Sequence, residues 1–169
     1  STTLPGSVKR WLNCYLNGRH SRVQFRDQLS SSRNVFTGVP QGAVTSPLLF
    51  SFYLSKIPLP PDNIYIIQYA DDISIYTSGR NIDQMTADIN RYLDTVIEYL
   101  EERELLISPE KSTVTLFTPD RRQGNLHTNI LLYGSQIPLE KTPKLLGVIF
   151  DTHLTFSTHI KTTVEKVKP

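Results

Sequence analysis

The sequence predicts an α+β protein in which an antiparallel sheet packs against helices. Three observations carry that prediction. One long segment after Asn81 has apolar residues at helical spacing. Seven shorter segments are rich in β-branched and aromatic residues and are bounded by turn formers. Helices and strands also follow one another irregularly rather than in strict alternation, which points to an antiparallel or mixed sheet with helices on one face.

The first helix is expected over residues 8–16, followed by strands "SRVQF" (21–25) and "NVFTG" (34–38). A second helix begins near Pro47, where Ser46 can cap and proline suits the first helical position. This segment, "PLLFSFYLSKI", is apolar nearly all round and should be buried on several sides. Strands "IYIIQYA" (64–70) and "ISIYTS" (73–78) come next. The long helix has Ile82, Met85, Ile89, Leu93, Val96 and Leu100 on one side, and mostly Asp88, Arg91, Asp94, Glu98, Glu101 and Glu102 on the other. Asn81 is its expected cap, with Gln84 three residues on. Strands "STVTLFT" (112–118), "ILLYG" (130–134) and "KLLGVIFD" (144–151) complete the series, and "PDRRQGN" (119–125) is the clearest loop. The chain contains no internal repeat or low-complexity segment.

The 169 residues suit one domain, and 38% hydrophobic content is enough for a core. Cys14 is the one cysteine, so no internal disulfide forms, and no apolar stretch reaches the roughly 18 residues of a membrane span. A soluble intracellular protein is the expectation. The chain opens on Ser1 with no signal-type segment, which we read as cropping from something longer. Net charge is only +2 but unevenly spread. Residues 1–26 contain Lys9, Arg10, Arg19, Arg22 and Arg26 and no acid, and Lys161, Lys166 and Lys168 cluster near the end. Acids dominate residues 83–110. The layout could hold a phosphate backbone at the basic faces, but charge alone favours the plainer reading of ordinary solvated surfaces.

"QYADDISIY" (68–76) sets Asp71 beside Asp72 within a run that otherwise reads as buried strand. Desolvation and mutual repulsion both oppose ionisation of such a pair, so a cation is needed if it is buried. Neighbours on a straight strand point to opposite faces, whereas at the tip of a hairpin both can serve one site. Such a tip suits a hard divalent cation, which takes oxygen ligands from one or two carboxylates and from substrate phosphates. The plain alternative is that Asp-Asp is a good turn former. About 30 residues earlier, in "FTGVPQGAVTSPLLF" (36–50), Gly38 and Gly42 bracket Val39, Pro40 and Gln41 between a strand and a helix. The backbone there can approach a ligand closely, and Gln41 can present an amide.

The two motifs in register, "GVPQGAVTSPLLF" and "QYADDISIY", resemble the reverse transcriptases, most closely those of non-LTR, LINE-like retrotransposons of the jockey type. "LPGSVKRWLNCYLNGRHSRVQF", "LLISPEKSTVTLF" and "KLLGVIFDTHLTFSTHI" extend the resemblance over nearly the whole chain. It implies a polymerase palm-like fold with partial fingers and the start of a thumb. It also implies that Asp71 and Asp72 bind catalytic Mg²⁺, Asp71 more directly, with Mn²⁺ as a substitute. Tyr69 would lie near the primer end, and Gly38, Pro40, Gln41 and Gly42 beside the incoming dNTP and template base. Lys111 would protonate departing pyrophosphate, although a solvated lysine in the polar turn "SPEKS" explains it equally well. Leu146 and Gly147 would grip the primer. The implied partners are an RNA template, a DNA primer and dNTP, within a longer retrotransposon polyprotein of cytoplasm and nucleus.

The departures bear on activity. Palms of this kind need a third carboxylate from an upstream strand, and Asp27, the first acid here, lies in the polar segment "FRDQLSSSR" and matches no metal motif. The resemblance therefore implies a palm core that is inactive alone. Two other functions compete: a decayed palm kept as a nucleic-acid-binding or interaction module, and an unrelated RNA-binding sheet. The last needs exposed aromatics for base stacking. Phe50, Phe52 and Tyr53 are expected instead on the buried helix.

Overall fold

The structure, a computed structural model, describes residues 4–120 and 128–167. Residues 121–125 of the expected loop, and Lys168, lie outside them. The chain divides into two compact units, Ser1–Lys56 and Ile57–Pro169. Among the described residues are four helices and ten short strands, a mixed α+β composition as expected. The strands form five separate two-stranded antiparallel pairs rather than one sheet. No helix among the described residues is long and apolar enough to cross a membrane.

In the first unit, helix α1 (Gly6–Leu16) stacks Trp11 on Tyr15 one turn later, with ring centroids 5.1 Å apart. Gly18, at φ +67°, turns the chain out of the helix. Strand β1 (Arg19–Ser21) pairs with β4 (Arg33–Val35). Farther out, β2 (Gln24–Phe25) pairs with β3 (Gln28–Leu29), and the Ser30 N–H donates to the Val23 carbonyl between the two ladders. The result is one interrupted hairpin. Of its outer strands, β2 falls within the segment expected as strand 21–25, whereas β3 was hidden, because a two-residue run carries no readable alternation.

Helix α2 (Ser46–Tyr53) corrects two expectations. Ser46 opens the helix instead of capping it, and its hydroxyl donates to the Pro40 carbonyl. The helix is also far from buried: Leu48 is 71% exposed, Phe52 66%, and Tyr53 is exposed as well. A helix apolar on all sides is covered only where neighbours exist. The described part of this unit buries Ser46 and, just after the helix, Leu54, and little else.

The second unit is built on helix α3 (Ile82–Glu101). Asn81 caps it as expected, accepting from the Gln84 N–H at 3.1 Å. The Gln84 side chain donates to Asp88 rather than closing a capping box. Tyr92, Leu93, Val96, Tyr99 and Leu100 form the buried stripe. Leu93 packs with Ile130, Leu132 and Ile137, and Ile75, Ile89, Ile97, Ile107 and Val114 surround them. Strands β5 (Ile64–Tyr69) and β6 (Asp72–Thr77) form the longest hairpin. The Asn90 amide pins the next one to α3, donating to the Asn129 carbonyl and accepting from the Leu131 N–H.

Two segments expected as single strands are hairpins. "ILLYG" becomes β7 (Leu131–Leu132) turning at Tyr133 and Gly134 into β8 (Ser135–Gln136). "KLLGVIFD" becomes β9 (Lys144–Leu145) turning at Leu146 and Gly147 into β10 (Val148–Ile149). All four turn residues have positive φ, the geometry that matches strand twist in a two-residue hairpin. "STVTLFT" is no ladder strand; Val114 forms one parallel bridge, with Leu139. Helix α4 (Ser157–Val167) follows a loop ordered by Asp151, whose carboxylate accepts from the His153 and Thr155 N–H groups and the Thr155 hydroxyl.

Leu132→Ala should cost about 2–5 kcal/mol by transfer loss and cavity formation, read as a lower urea midpoint. The hydrogen bond from the Thr155 backbone, followed by that from its side chain, holds the Asp151 carboxyl below its usual value despite some desolvation. A depressed folded pKa adds stability above the ordinary aspartate value and loses it as pH falls through the folded one. Carbon-detected NMR titration should therefore place the Asp151 midpoint below the usual aspartate range; a midpoint at or above that range would contradict the loop geometry.

Candidate active site

The β5–β6 hairpin keeps a continuous register from Ile64 opposite Thr77 to Tyr69 opposite Asp72. That leaves Ala70 and Asp71 as a two-residue loop. Ala70 has φ +54°, a conformation disfavoured for a side chain with Cβ, and the Gln68 amide donates to its carbonyl at 3.3 Å. Burial alternates along β5, with Ile64 buried, Ile66 and Gln68 half-buried, and Tyr65, Ile67 and Tyr69 exposed. On the outer face Tyr65 stacks on Tyr76 directly across the pair, centroids 5.1 Å apart.

Asp71 sits in the loop and Asp72 opens β6, and both are exposed. The pair thus lies at the tip of a hairpin, as expected, and not within a buried strand. The carboxylates stand in water, where like charges a few ångströms apart repel by only about 1 kcal/mol, so no cation is needed for the fold. Among the described residues neither carboxylate accepts a hydrogen bond or joins an ion pair, so their oxygens are open to a ligand. No cluster of three or more His, Cys, Asp or Glu side chains able to hold a metal occurs among the described residues.

In the other unit, residues 38–42 run from β4 toward α2, with Gly38 at φ +75° and Gly42 at φ +81°. A Cβ at either glycine would meet open space, so it is backbone conformation that calls for glycine there. Gln41 is exposed while Pro40 is half-buried. Two side chains hold this loop, and a third ties the start of α2 back to α1. Arg19 donates through Nε to the Leu16 carbonyl at 2.8 Å and through Nη2 to the Thr37 and Gly38 carbonyls at 3.0 and 2.7 Å. Ser46 reaches Pro40, and the Thr45 hydroxyl donates to the Tyr15 hydroxyl at 3.2 Å.

Against known proteins, residues 1–150 match the reverse transcriptase (RNA-dependent DNA polymerase) family profile. The chain belongs to the reverse transcriptase family. Three relatives come from Drosophila melanogaster. The probable RNA-directed DNA polymerase from transposon X-element is 32% identical, over 94% of this chain and 18% of its own length. The probable RNA-directed DNA polymerase from transposon BS is 30% identical, over 92% and 18%. The RNA-directed DNA polymerase from mobile element jockey is 31% identical, over 86% and 16%. The chain thus spans less than a fifth of the length of these curated relatives. No solved structure matches it.

Of the other residues singled out by the resemblance, Lys111, Leu146 and Gly147 lie on exposed turns and Tyr69 ends β5. Lys111 lies in the turn after α3, its N–H donating to the Ser108 carbonyl at 3.2 Å. Leu146 and Gly147 form the β9–β10 tip, at φ +48° and +90°. Tyr69 is 64% exposed beside the acidic loop. Gly38, Pro40, Gln41 and Gly42 belong to the first unit, and the other named residues to the second.

Sequence reasoning missed Arg19 as a clamp, assigning it to the basic cluster that could hold phosphate. Its guanidinium is instead spent on three carbonyls, and nothing in the local pattern announces partners 18 and 19 residues away. Arg19→Gln should release the loop, lowering amide order parameters at residues 38–42 from the rigid value of about 0.85 to below about 0.6. Arg19→Lys should not restore them, because an ammonium lacks the fork that spans several acceptors. Unchanged order parameters in both variants would show that the Ser46 bond to Pro40 suffices.

Proposed function

We propose that this chain is the palm core of a non-LTR retrotransposon reverse transcriptase, acting within a longer polypeptide to add deoxynucleotides to a DNA primer on an RNA template. The observation that carries this reading is the pair of open carboxylates at the β5–β6 tip, in a chain of this family. They fit a hard divalent cation, which accepts one or two protein carboxylates and fills its remaining positions with water and phosphate oxygens. Asp71 in the loop is the more direct ligand and Asp72 the second. When bound there, Mg²⁺, or Mn²⁺ in its place, supplies an acidified primer 3′-hydroxyl and charge neutralisation on the triphosphate.

The other residues act by position. Tyr69, next to the acidic loop, contacts the primer terminus. The clamped loop presents backbone at Gly38 and Gly42, and the Pro40 and Gln41 side chains, to the incoming nucleotide and its template base. Lys111 gives a proton to leaving pyrophosphate, and Leu146 and Gly147 hold the primer strand. Catalysis of this kind is positioning and electrostatics, so an incomplete ligand set is severe. Residues 1–26 hold no Asp or Glu, and no third ligand accompanies Asp71 and Asp72 among the described residues. The isolated chain is therefore inactive, and works, in cytoplasm and nucleus, when the rest of a polyprotein completes the set. A second reading, a palm kept only to bind nucleic acid, is favoured by the basic character of the first unit and opposed by the intact acidic pair.

The test is a chimera in which this chain replaces its counterpart in the jockey polymerase. Primer extension on an RNA template should persist in the chimera and fall by about 10²–10³-fold or more with Asp71→Asn. The isolated chain should make no product. A chimera indifferent to Asp71→Asn would overturn the catalytic assignment, and Asp71-dependent synthesis by the isolated chain would overturn its predicted inactivity.

A further inference from the structure

Every residue from 20 to 34 is exposed, so the β1–β4 hairpin and its β2–β3 extension form an arm with no buried side chain of its own. From Ser21 opposite Arg33 to the tip at Arg26, about five residues, the arm reaches roughly 16 Å. Apolar packing does not explain its sequence. Phe25 is 70% exposed and Val23 71%, and the Arg26 guanidinium lies over the Phe25 ring, 5.4 Å from its centroid.

Charge is the second observation. Residues 1–56 carry seven Lys and Arg side chains against Asp27 alone. Arg19 is committed to backbone carbonyls, but Arg22, Arg26 and Arg33 stand on the exposed arm. The ion pairs found among the described residues, Arg91–Asp88 and Arg103–Glu102, both lie elsewhere. Arginines interleaved with an exposed aromatic ring match what a flexible polyanion with unpaired bases requires: cations for phosphates and a flat apolar surface for a base. A duplex hides its base faces and would leave Phe25 idle.

We infer that this arm binds single-stranded RNA, with Arg22, Arg26 and Arg33 on the sugar-phosphate backbone and an unpaired base stacked on Phe25. The choice of RNA rests on the polymerase reading above, because the arm runs directly into residues 37 and 38, which Arg19 clamps, and so into the loop assigned to the template base. The binding itself needs neither metal nor the acidic pair.

The experiment is fluorescence anisotropy of the 169-residue chain with a labelled single-stranded RNA in EDTA, repeated across a salt series. Arg22→Gln/Arg26→Gln/Arg33→Gln should weaken binding at least about tenfold and flatten the log–log salt dependence by about two, the loss expected for three phosphate contacts on a single strand. Phe25→Ser should weaken binding without changing that slope. Circular dichroism should be unchanged in both, since the arm buries nothing. Because binding is read in EDTA, without the metal site, a failed polymerase test and a failed arm test remain distinct. Parent-like affinity and slope in the triple arginine variant, absence of RNA binding by the parent, or equal affinity for duplex RNA or for single-stranded DNA of the same sequence would each overturn the assignment.

Discussion

A two-stranded hairpin alone in water is marginal, so the acidic tip depends on what lies under it. Helix α3 supplies that support. Ile75 of β6, with Ile89 and Ile97 of the helix, packs against a cluster of Leu93 from α3 and Ile130, Leu132 and Ile137 in and around the next hairpin. Burying one face of β5–β6 fixes its register, because a one-residue slip would carry Ile75 to the solvent side. That register makes Ala70 and Asp71 the loop and Asp72 the first strand residue. The position of the carboxylates is thus a consequence of apolar packing several residues away. The carboxylates themselves contribute little to the fold and remain open for a ligand.

The first unit solves a similar problem with polar groups. Its loop at residues 38–42 has few buried neighbours and is held by hydrogen bonds from Arg19 and Ser46. Glycine at positions 38 and 42 supplies the left-handed conformations, leaving Gln41 displayed at the surface. Charge divides in the same way, since basic residues gather in the first unit and acidic ones along α3.

What was legible in the sequence was whatever one segment determines by itself. Period-3.6 patterning and Asn81 delimited α3 to within a residue, and the alternation of "IYIIQY" and "ISIYT" delimited the acidic hairpin. The Gly38–Gly42 spacing marked the loop, and the two motifs in register identified the family. Features that depend on distant partners were illegible. Burial of α2 depends on neighbours that its unit does not supply, so Phe52 is exposed where its surroundings suggested a core. "KLLGVIFD" reads as one strand because a left-handed φ at Leu146 is a tertiary outcome, not a propensity. Arg19 looked like one more surface cation, since its carbonyl acceptors become visible only once the arm has folded back.

The central claim is that the β5–β6 tip is the divalent-cation site of this chain. The most direct test is paramagnetic broadening by sub-stoichiometric Mn²⁺ in the ¹⁵N-labelled protein. The acidic face of α3, with Asp94, Glu98, Glu101 and Glu102, is a built-in competitor richer in carboxylates. The claim predicts that the amides of residues 69–73 broaden first, that Mg²⁺ relieves the effect, and that Asp71→Asn with Asp72→Asn removes it. Broadening that begins along α3, or persists at residues 69–73 in the double variant, would contradict it.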